Sequence, residues 1–166
     1  MHWTREQLSR ELEAGNIRFQ DISLAGLDLS GMELNGLFGN TDFTGANLSG
    51  ANLSKANLWE ANLTGADLRR ANLYAATMTR AVLSGANLEE AILKNVNLGE
   101  GKLIGANLRN ADLHGANLGM TDLREANLTG ADLTWASFIQ ADLTGAKLEG
   151  AIVENTNFEG ARGYVR

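Results

Sequence analysis

The chain has 166 residues, with 20 acidic and 14 basic side chains, and carries a formal net charge of −6 at pH 7. It contains no cysteine, which excludes a disulfide framework, a thiolate nucleophile and a zinc–thiolate site. It has no run of 18 apolar residues, so no membrane-spanning helix is predicted, and its acidic balance argues against direct binding of nucleic acid.

The first residues, Met1 to Arg5, lack the apolar segment of a secretory signal peptide. We therefore expect a cytoplasmic protein. A chain of this length is expected to form a single domain.

Residues 1–16 do not repeat and predict a short helix ahead of the repeats. Thr4 and Gln7 have the spacing of a capping box, in which two polar side chains close the start of a helix. Leu8 and Leu12 fall on one side of that helix. We expect this side to cover the open apolar end of the first coil, because an uncovered end would present unpaired strand edges.

A loose five-residue repeat begins at residue 17 and runs to residue 36. Its large central residues are Phe19, Leu24, Leu29 and Leu34, and the residues two positions earlier are also bulky: Ile17, Ile22, Leu27 and Met32. From Leu34 to the next large residue, Phe38, the step is one residue short of the later spacing. The opening coil is therefore predicted to be bulkier and shifted, as terminal repeats often are.

Residues 41–160 form 24 consecutive units of five without an insertion or deletion. The central residue is always apolar and is Leu in 19 units, and the residue two positions earlier is Ala in 19 units. Asn or Asp separates them in 17 units, and the last two positions vary freely. This regularity predicts a stacked solenoid, whose function lies on its surface and not in a catalytic cleft.

A period of five fits neither the 3.6-residue period of a helix nor the two-residue alternation of a strand. The chain must instead take a short extended step and then turn, with the large and the small residue both directed inward. Alternating large and small side chains can fill a narrow axis that large side chains alone would overpack. The residues by themselves predict a coiled solenoid.

The motif of Ala, then Asn or Asp, then Leu, followed by two free positions, resembles that of the pentapeptide-repeat family; Ala46-Asn47-Leu48 is one example. The resemblance is strict over residues 41–160 and loose over 17–36. It implies an all-β solenoid, a right-handed quadrilateral β-helix with four units per coil. We predict about seven coils over residues 17–160, a short N-terminal capping helix, and a C-terminal tail over 161–166.

No catalytic, cofactor or metal-binding pattern is recognisable. The one histidine within the repeats, His114, has no partner at the spacing of a metal ligand or a catalytic triad. The Asn and Asp columns resemble those of repeat calcium sites, but the glycine-rich nonapeptide signature of such sites is absent. We interpret these side chains as bonding the turn backbone or stacking as amide ladders. We predict that the chain is not an enzyme and holds no cofactor or metal.

Residues four units apart are vertical neighbours, about 4.8 Å apart, if each coil contains four units. Two columns of alternating charge then arise, Arg69, Glu89 and Arg109 in one and Glu60, Arg80 and Glu100 in the other, with Arg70 beneath Glu90. Each exposed pair contributes at most about 1 kcal/mol, so we interpret the columns as fixing register. The alternative is a docking site for a charged partner.

Some members of the family resemble duplex DNA in size and charge, bind DNA gyrase or topoisomerase IV, and protect them from fluoroquinolones. Such mimicry needs rows of carboxylates without intervening cations. Residues 41–140 hold ten acids and eight bases, so the shaft is nearly neutral. We therefore predict a non-enzymatic scaffold or protein-interaction module with an unidentified protein partner, and keep the gyrase-binding DNA mimic as the alternative.

Large apolar and aromatic side chains at variable positions form a predicted partner surface on two adjacent faces. Exposed apolar groups are normal when scattered, but aromatic side chains at variable positions are those that interaction surfaces use. Three of these residues are placed near one corner, one lies a coil away, and two lie lower on the same faces. They are Met120, Trp135 and Ile139, then His114, then Trp59 and Tyr74.

The C-terminal end has only residues 161–166 to cover it. Tyr164 and Val165 are predicted to fold back as an apolar lid, which leaves Phe158 and Val153 partly accessible. Exposed edges invite pairing, and two such ends meeting about a twofold axis would bury both. The sequence leaves two outcomes open, a lidded monomer and a homodimer through the C-terminal ends.

Overall fold

The computed structural model describes residues 3–164. One α-helix, α1 (Arg5–Glu13), is followed by a solenoid whose coils are joined by parallel bridges from Arg18 to Arg162. Each bridge is a single residue pair, and the described range contains no longer strand. Short extended steps and tight turns therefore replace the long strands of an ordinary sheet.

Helix α1 begins and ends as its sequence dictates. The Thr4 hydroxyl accepts a hydrogen bond from the Gln7 N–H (3.2 Å), and the Gln7 amide oxygen accepts one from the Thr4 N–H (2.9 Å), which is the predicted capping box. Gly15, with a φ of +81°, takes the left-handed conformation that commonly follows a helix. Leu8 is fully buried in the core of the solenoid, and Leu12 is partly buried against it.

Every unit of residues 41–160 has the same conformation. Positions 1 and 3, the small and the large residue, point inward, and positions 2, 4 and 5 face outward. Position 5 has a positive φ in all of these units, whether it is Gly45 (+64°) or Trp135 (+61°). This left-handed residue turns the chain, so one side of the coil ends at each position 5.

Successive coils are joined by a ladder that repeats every 20 residues. Asn87, for example, bridges to Asn107, and the Leu88 N–H donates to the Asn107 carbonyl oxygen (2.7 Å). Four units therefore complete one coil, and the coil has four faces. We number the faces 1 to 4 by the units that begin at residues 41, 46, 51 and 56.

The first coil is one residue short, because its bridges to the second coil span 19 residues, as between Arg18 and Leu37. The missing residue is a left-handed corner residue, since no residue from 32 to 39 has a positive φ. Gly36 therefore starts the next unit. The sequence spacing had placed it at the end of the fourth unit, which was wrong. A Cβ at Gly36 would lie 2.9 Å from the Ile17 carbonyl oxygen, so only glycine fits this shortened corner.

The core is the column of large residues along the axis. These side chains are fully buried from Phe19 to Leu143. Burial decreases in the last coil, where Leu148 and Phe158 are partly buried and Val153 is 39% exposed. The two ends of the core therefore differ in how well they are covered.

Candidate interaction surfaces

Large apolar side chains at outward positions are exposed on only two sides of the solenoid. Seven such side chains have more than a third of their surface exposed. Within residues 3–164, faces 1 and 2 carry none of them. The two other exposed apolar residues, Ile17 and Val153, occupy inward positions of the end coils. The seven are Tyr74, Ile92, Trp135 and Ile152 on face 3, and Trp59, Met120 and Ile139 on face 4.

Met120, Trp135 and Ile139 lie along face 4 on two adjoining coils, and we call this group the apolar corner. Trp135 stands at the corner where face 3 meets face 4, whereas Ile139 and Met120 lie at the other end of face 4, with Met120 at its corner with face 1. Trp135 (62% exposed) and Met120 (58%) are the most exposed large apolar residues, and Ile139 is 37% exposed. The Met120 N–H donates to the Ile139 carbonyl oxygen (2.8 Å), so these two residues lie on adjoining coils. Trp135 ends the face 3 unit that leads directly into the face 4 unit of Ile139.

Both Trp135 (φ +61°) and Met120 (φ +57°) occupy the left-handed corner position. That conformation costs a residue with a Cβ roughly 1–2 kcal/mol, and glycine adopts it without strain. Both side chains are also more than half exposed, so each offsets this cost by burying less apolar surface than an inward residue does.

The other predicted surface residues are not gathered at this corner. Trp59 and Tyr74 are 40% and 41% exposed on the predicted faces, but they lie three to four coils below, roughly 14–19 Å away at about 4.8 Å per coil. His114 is half-buried one coil below, beneath Thr134. The structure thus groups three of the six predicted residues and separates Trp59 and Tyr74 from them.

Two exposed residues of face 3 were not predicted, Ile92 (41%) and Ile152 (47%). Both stand at position 2, where most units have Asn or Asp. Their signal in the sequence is that substitution, because an apolar side chain at an outward polar position cannot be explained by the core. Ile152 extends the exposed apolar residues of face 3 into the last coil.

The Asn and Asp side chains of position 2 hold the turns. In all 17 units that have one, its side-chain oxygen accepts a hydrogen bond from the N–H two residues ahead, as Asn47 does from Ser49 (3.1 Å). Amide ladders occur as well, since Asn107 Nδ2 donates to Asn87 Oδ1 (3.0 Å). Both predicted structural roles are observed.

Where position 2 is Asp, these bonds lower the pKa of the carboxyl group. The Thr134 hydroxyl and N–H, in that order, lower the pKa of Asp132. The Arg69 guanidinium is the largest cause of the lowered pKa of Asp67. Hydrogen bonding to the charged form favours ionisation, and these carboxylates are therefore tied to the fold.

The predicted charge columns form ion pairs, but one arginine pairs differently. Arg69, which the column places beneath Glu89, binds Asp67 of its own unit at 2.6 Å. A neighbour two residues away competes successfully with one on the next coil. The pairs between coils are Arg70–Glu90 (2.7 Å), Arg80–Glu100 (3.0 Å), Arg80–Glu60 (3.6 Å) and Arg109–Glu89 (3.7 Å).

At the C-terminal end, the Phe158 ring is stacked between two other rings. Its centroid lies 5.2 Å from that of Phe138 and 3.8 Å from that of Tyr164. Val153 stays 39% exposed, and Val165 lies outside the described residues. The part that Val153, Phe158, Tyr164 and Val165 play in a dimer stays a prediction.

The family model for pentapeptide repeats matches the chain in eight copies, over residues 17–59, 37–70, 57–95, 91–130 and 126–162. The chain belongs to the pentapeptide-repeat family. Its members fold as right-handed quadrilateral β-helices, which gives the hand of the four-sided coil described above. The resemblance seen in the sequence is confirmed.

Solved structures of other pentapeptide repeat proteins are similar to this one. HetL, involved in regulation of heterocyst differentiation in the cyanobacterium Nostoc sp. strain PCC 7120, is 25% identical over 99% of this chain and 100% of its own (TM-score 0.39). A protein of the Arabidopsis thaliana thylakoid lumen is 34% identical over 72% of this chain and 69% of its own (TM-score 0.41). QnrB1, a plasmid-mediated fluoroquinolone resistance protein, is 17% identical over 86% and 87% (TM-score 0.49). The comparison with curated proteins gave no match.

Among residues 3–164, no three His, Asp or Glu side chains are grouped so that they could hold a metal ion. Nor does any helix of that range have the length and apolarity needed to cross a membrane.

Proposed function

We propose that this pentapeptide-repeat protein is a non-enzymatic scaffold that binds a protein partner through the apolar corner. The observation that carries the proposal is the placement of Trp135 and Met120, which are strained in conformation and exposed to water at once. A partner that covers them recovers the burial that the free chain lacks, about 1.5–3 kcal/mol for each large apolar side chain.

The surroundings of the apolar corner have the composition of an interface. The face 4 units that contain Met120 and Ile139, residues 116–120 and 136–140, carry no charged side chain. Charged residues such as Asp132 and Glu154 lie beside this area on face 3. Centres of protein interfaces are depleted in charge and enriched in aromatic residues and methionine, with polar residues around them.

Affinity capture from the source organism with a matched pair of variants tests the proposal. The test variant is Trp135→Asn with Met120→Asn, since asparagine tolerates the left-handed conformation and removes the apolar side chain. The control is Glu125→Asn, an exposed corner residue with a φ of +58° on face 1. Each substitution places asparagine at a left-handed corner position, and only the test variant removes apolar side chains.

We expect the wild type and Glu125→Asn to capture the same protein and the double variant to lose it. Once that protein is purified, titration calorimetry should show at least about a 30-fold weaker affinity for the double variant, the loss typical of a hot-spot residue. Equal capture by all three chains would refute a binding role for the apolar corner.

We also propose that the solenoid contains about seven coils and that α1 caps its N-terminal end. The buried side chain of Leu8 supports the cap, as does the Trp3 ring, which meets the Phe19 ring edge-on at 5.9 Å. Hydrogen exchange should show the α1 amides to be protected in the wild type and exposed in Leu8→Asp, while the ladder amides that join the first coil to the second stay protected in both.

The alternative function, a DNA mimic that binds gyrase, needs long rows of unpaired carboxylates. Within residues 3–164 no column holds more than two carboxylates in succession, and Arg70, Arg80 and Arg109 pair with acids of neighbouring coils. We therefore expect the purified protein to leave gyrase supercoiling, and its inhibition by ciprofloxacin, unchanged. Protection at micromolar protein would restore the alternative.

A further inference from the structure

The ladder gives the two ends of the solenoid different chemistry. In each unit the N–H groups of positions 3 and 5 donate to the following coil, as Leu88 does to Asn107 (2.7 Å) and Glu90 to Arg109 (3.0 Å). Only the N–H of position 2 donates to the preceding coil, as from Asn87 (2.9 Å). The last coil is therefore left with an excess of donors, and the first coil with an excess of acceptors.

The C-terminal rim is the edge of the last coil on faces 2, 3 and 4. The six N–H groups at positions 3 and 5, which would donate to a following coil, have no acceptor among residues 3–164, and the three position 1 carbonyl groups, which would accept from it, have no donor there. Face 1 is already covered by the tail at Arg162, whose carbonyl oxygen accepts from the Leu143 N–H (2.8 Å) and whose N–H donates to the Ala141 carbonyl oxygen (2.9 Å). The donors belong to Leu148, Gly150, Val153, Asn155, Phe158 and Gly160, and the acceptors to Ala146, Ala151 and Thr156.

The N-terminal rim is the opposite edge of the first coil, and it presents carbonyl groups at positions 2 and 4 of each unit. Two of these, at Asp28 and Ser30, are engaged in the described part of the chain. Arg5 of α1 engages both, at 2.9 and 3.0 Å. The others are the carbonyl groups of Arg18, Gln20, Ser23, Ala25, Glu33 and Asn35. Arg5 thus takes the place that the N–H groups of a preceding coil would take.

Pairing between two C-terminal rims would be incomplete. Each rim has twice as many free donors as free acceptors, so half of the donors would be buried without a partner, which native interfaces avoid. An N-terminal rim offers two carbonyl groups per face, so three of its faces can accept from all six free N–H groups of a C-terminal rim. Since the tail fills face 1, the three open faces match the first three units, residues 17–31, of another chain.

We infer that the two rims are complementary docking surfaces for second copies of this chain, and that α1 keeps the N-terminal rim closed. With α1 docked, the chain does not extend. With α1 displaced, the C-terminal rim of one copy continues its ladder onto the first coil of the next. Such a head-to-tail contact does not close on itself, and its product is a filament.

The full chain with Arg5→Ala and Leu8→Asp tests this inference. A charged residue at the fully buried position of Leu8 forces α1 off the core, and the first change removes its two bonds to the rim. We expect the variant to retain the circular-dichroism signal of the solenoid, to grow in mass with concentration in light scattering, and to form unbranched filaments in electron micrographs.

A second pair of changes in the same background separates rim pairing from aggregation of an unfolded chain. Val153→Pro removes one rim N–H and breaks no hydrogen bond among residues 3–164, whereas Val153→Ala keeps that N–H. We expect the proline to return the chain to a monomer and the alanine to leave the filaments. The wild type should be a monomer throughout.

Three results would overturn the inference: a folded variant without α1 docked that stays monomeric, filaments that the proline does not affect, or a wild-type dimer abolished by Val153→Pro. The last would establish pairing between C-terminal rims. None of these outcomes bears on the apolar corner, which can be tested in the wild-type background.

Discussion

The two ends of this solenoid finish the same apolar axis in different ways. At the N-terminal end, α1 buries Leu8, sets Trp3 edge-on against Phe19, and supplies Arg5 to two rim carbonyl groups. At the C-terminal end, a short tail places Tyr164 on Phe158 and leaves six rim N–H groups without a described partner. The apolar side chains at one end of the solenoid can therefore be covered while the backbone N–H groups at that end lack hydrogen-bond partners.

The end coils differ in side-chain size as well. The small position holds Ile17, Ile22, Leu27 and Met32 in the first coil, and Ala146 and Ala151 in the last. Larger residues widen the apolar surface on which a helix can lie. Within residues 3–164, only the end with bulky residues at these positions carries a helix.

The largest expected effect compares the terminal aromatic residues. Phe19 is 1% exposed, so Phe19→Ala should cost about 3–5 kcal/mol of unfolding free energy by leaving a cavity. Phe158 is only partly buried, and Phe158→Ala should cost less than about half as much, because solvent already reaches the site. Urea denaturation of both variants measures the difference, and equal losses would show that the tail seals its end as well as α1 does.

A smaller effect is expected from the arginines at the two ends. Arg5→Ala removes two hydrogen bonds from a charged donor to backbone carbonyl groups and should cost about 1–2 kcal/mol. Arg162 is exposed and joins the ladder through its backbone, so Arg162→Ala should change stability by less than about 0.5 kcal/mol. Thermal melts of the two variants at matched pH would distinguish them, and a loss at Arg162 as large as at Arg5 contradicts the comparison.

The smallest effect concerns acid. The Ser30 hydroxyl, ahead of its N–H, lowers the pKa of Asp28 at the first coil, and the Thr144 hydroxyl does so for Asp142 near the last. Because the folded pKa lies below the unfolded value of about 3.9, this stability is present above that pH and is lost as pH falls through the folded pKa. Both ends should weaken together on acidification.

The variants Asp28→Asn and Asp142→Asn test this acid response, since an amide oxygen still accepts the bond from the N–H two residues ahead. Each variant should show a shallower fall in melting temperature below about pH 4 than the wild type, and a slightly lower melting temperature near neutral pH, where the wild-type carboxylates are ionised. An unchanged slope in both would mean that these carboxylates do not govern acid stability.

Much of the fold follows from the sequence, because each feature repeats at a fixed interval. The inward residues, the short first coil and the columns of charge were all readable, and Arg70 pairs with Glu90 as the spacing predicts. The prediction failed for Arg69, because a carboxylate in its own unit is closer than the one on the next coil. The 20-residue spacing predicts which residues are neighbours, but it does not predict which neighbouring carboxylate an arginine binds.

The surface was harder to predict for two physical reasons. The left-handed conformation of Trp135 and Met120 could not be predicted from their residue types, because most units have a residue other than glycine at this position. The reach of Arg5 to Asp28 and Ser30 depends on how α1 sits on the first coil, which no periodicity encodes. The apolar corner was found from the variable positions, but Ile92 and Ile152 were missed because position 2 was treated as a structural column.

The unequal direction of the ladder bonds also makes the whole solenoid an electric dipole. Of the three ladder peptides in a unit, two point their N–H toward the C-terminal end and one points away, so each unit adds the net of about one peptide dipole of roughly 3.5 D. The positive end is therefore the C-terminal one, the reverse of an α-helix. Glu149, Glu154 and Glu159 stand exposed on the last coil, where this field favours negative charge. A charged partner approaching the protein would be turned toward one end before it made contact.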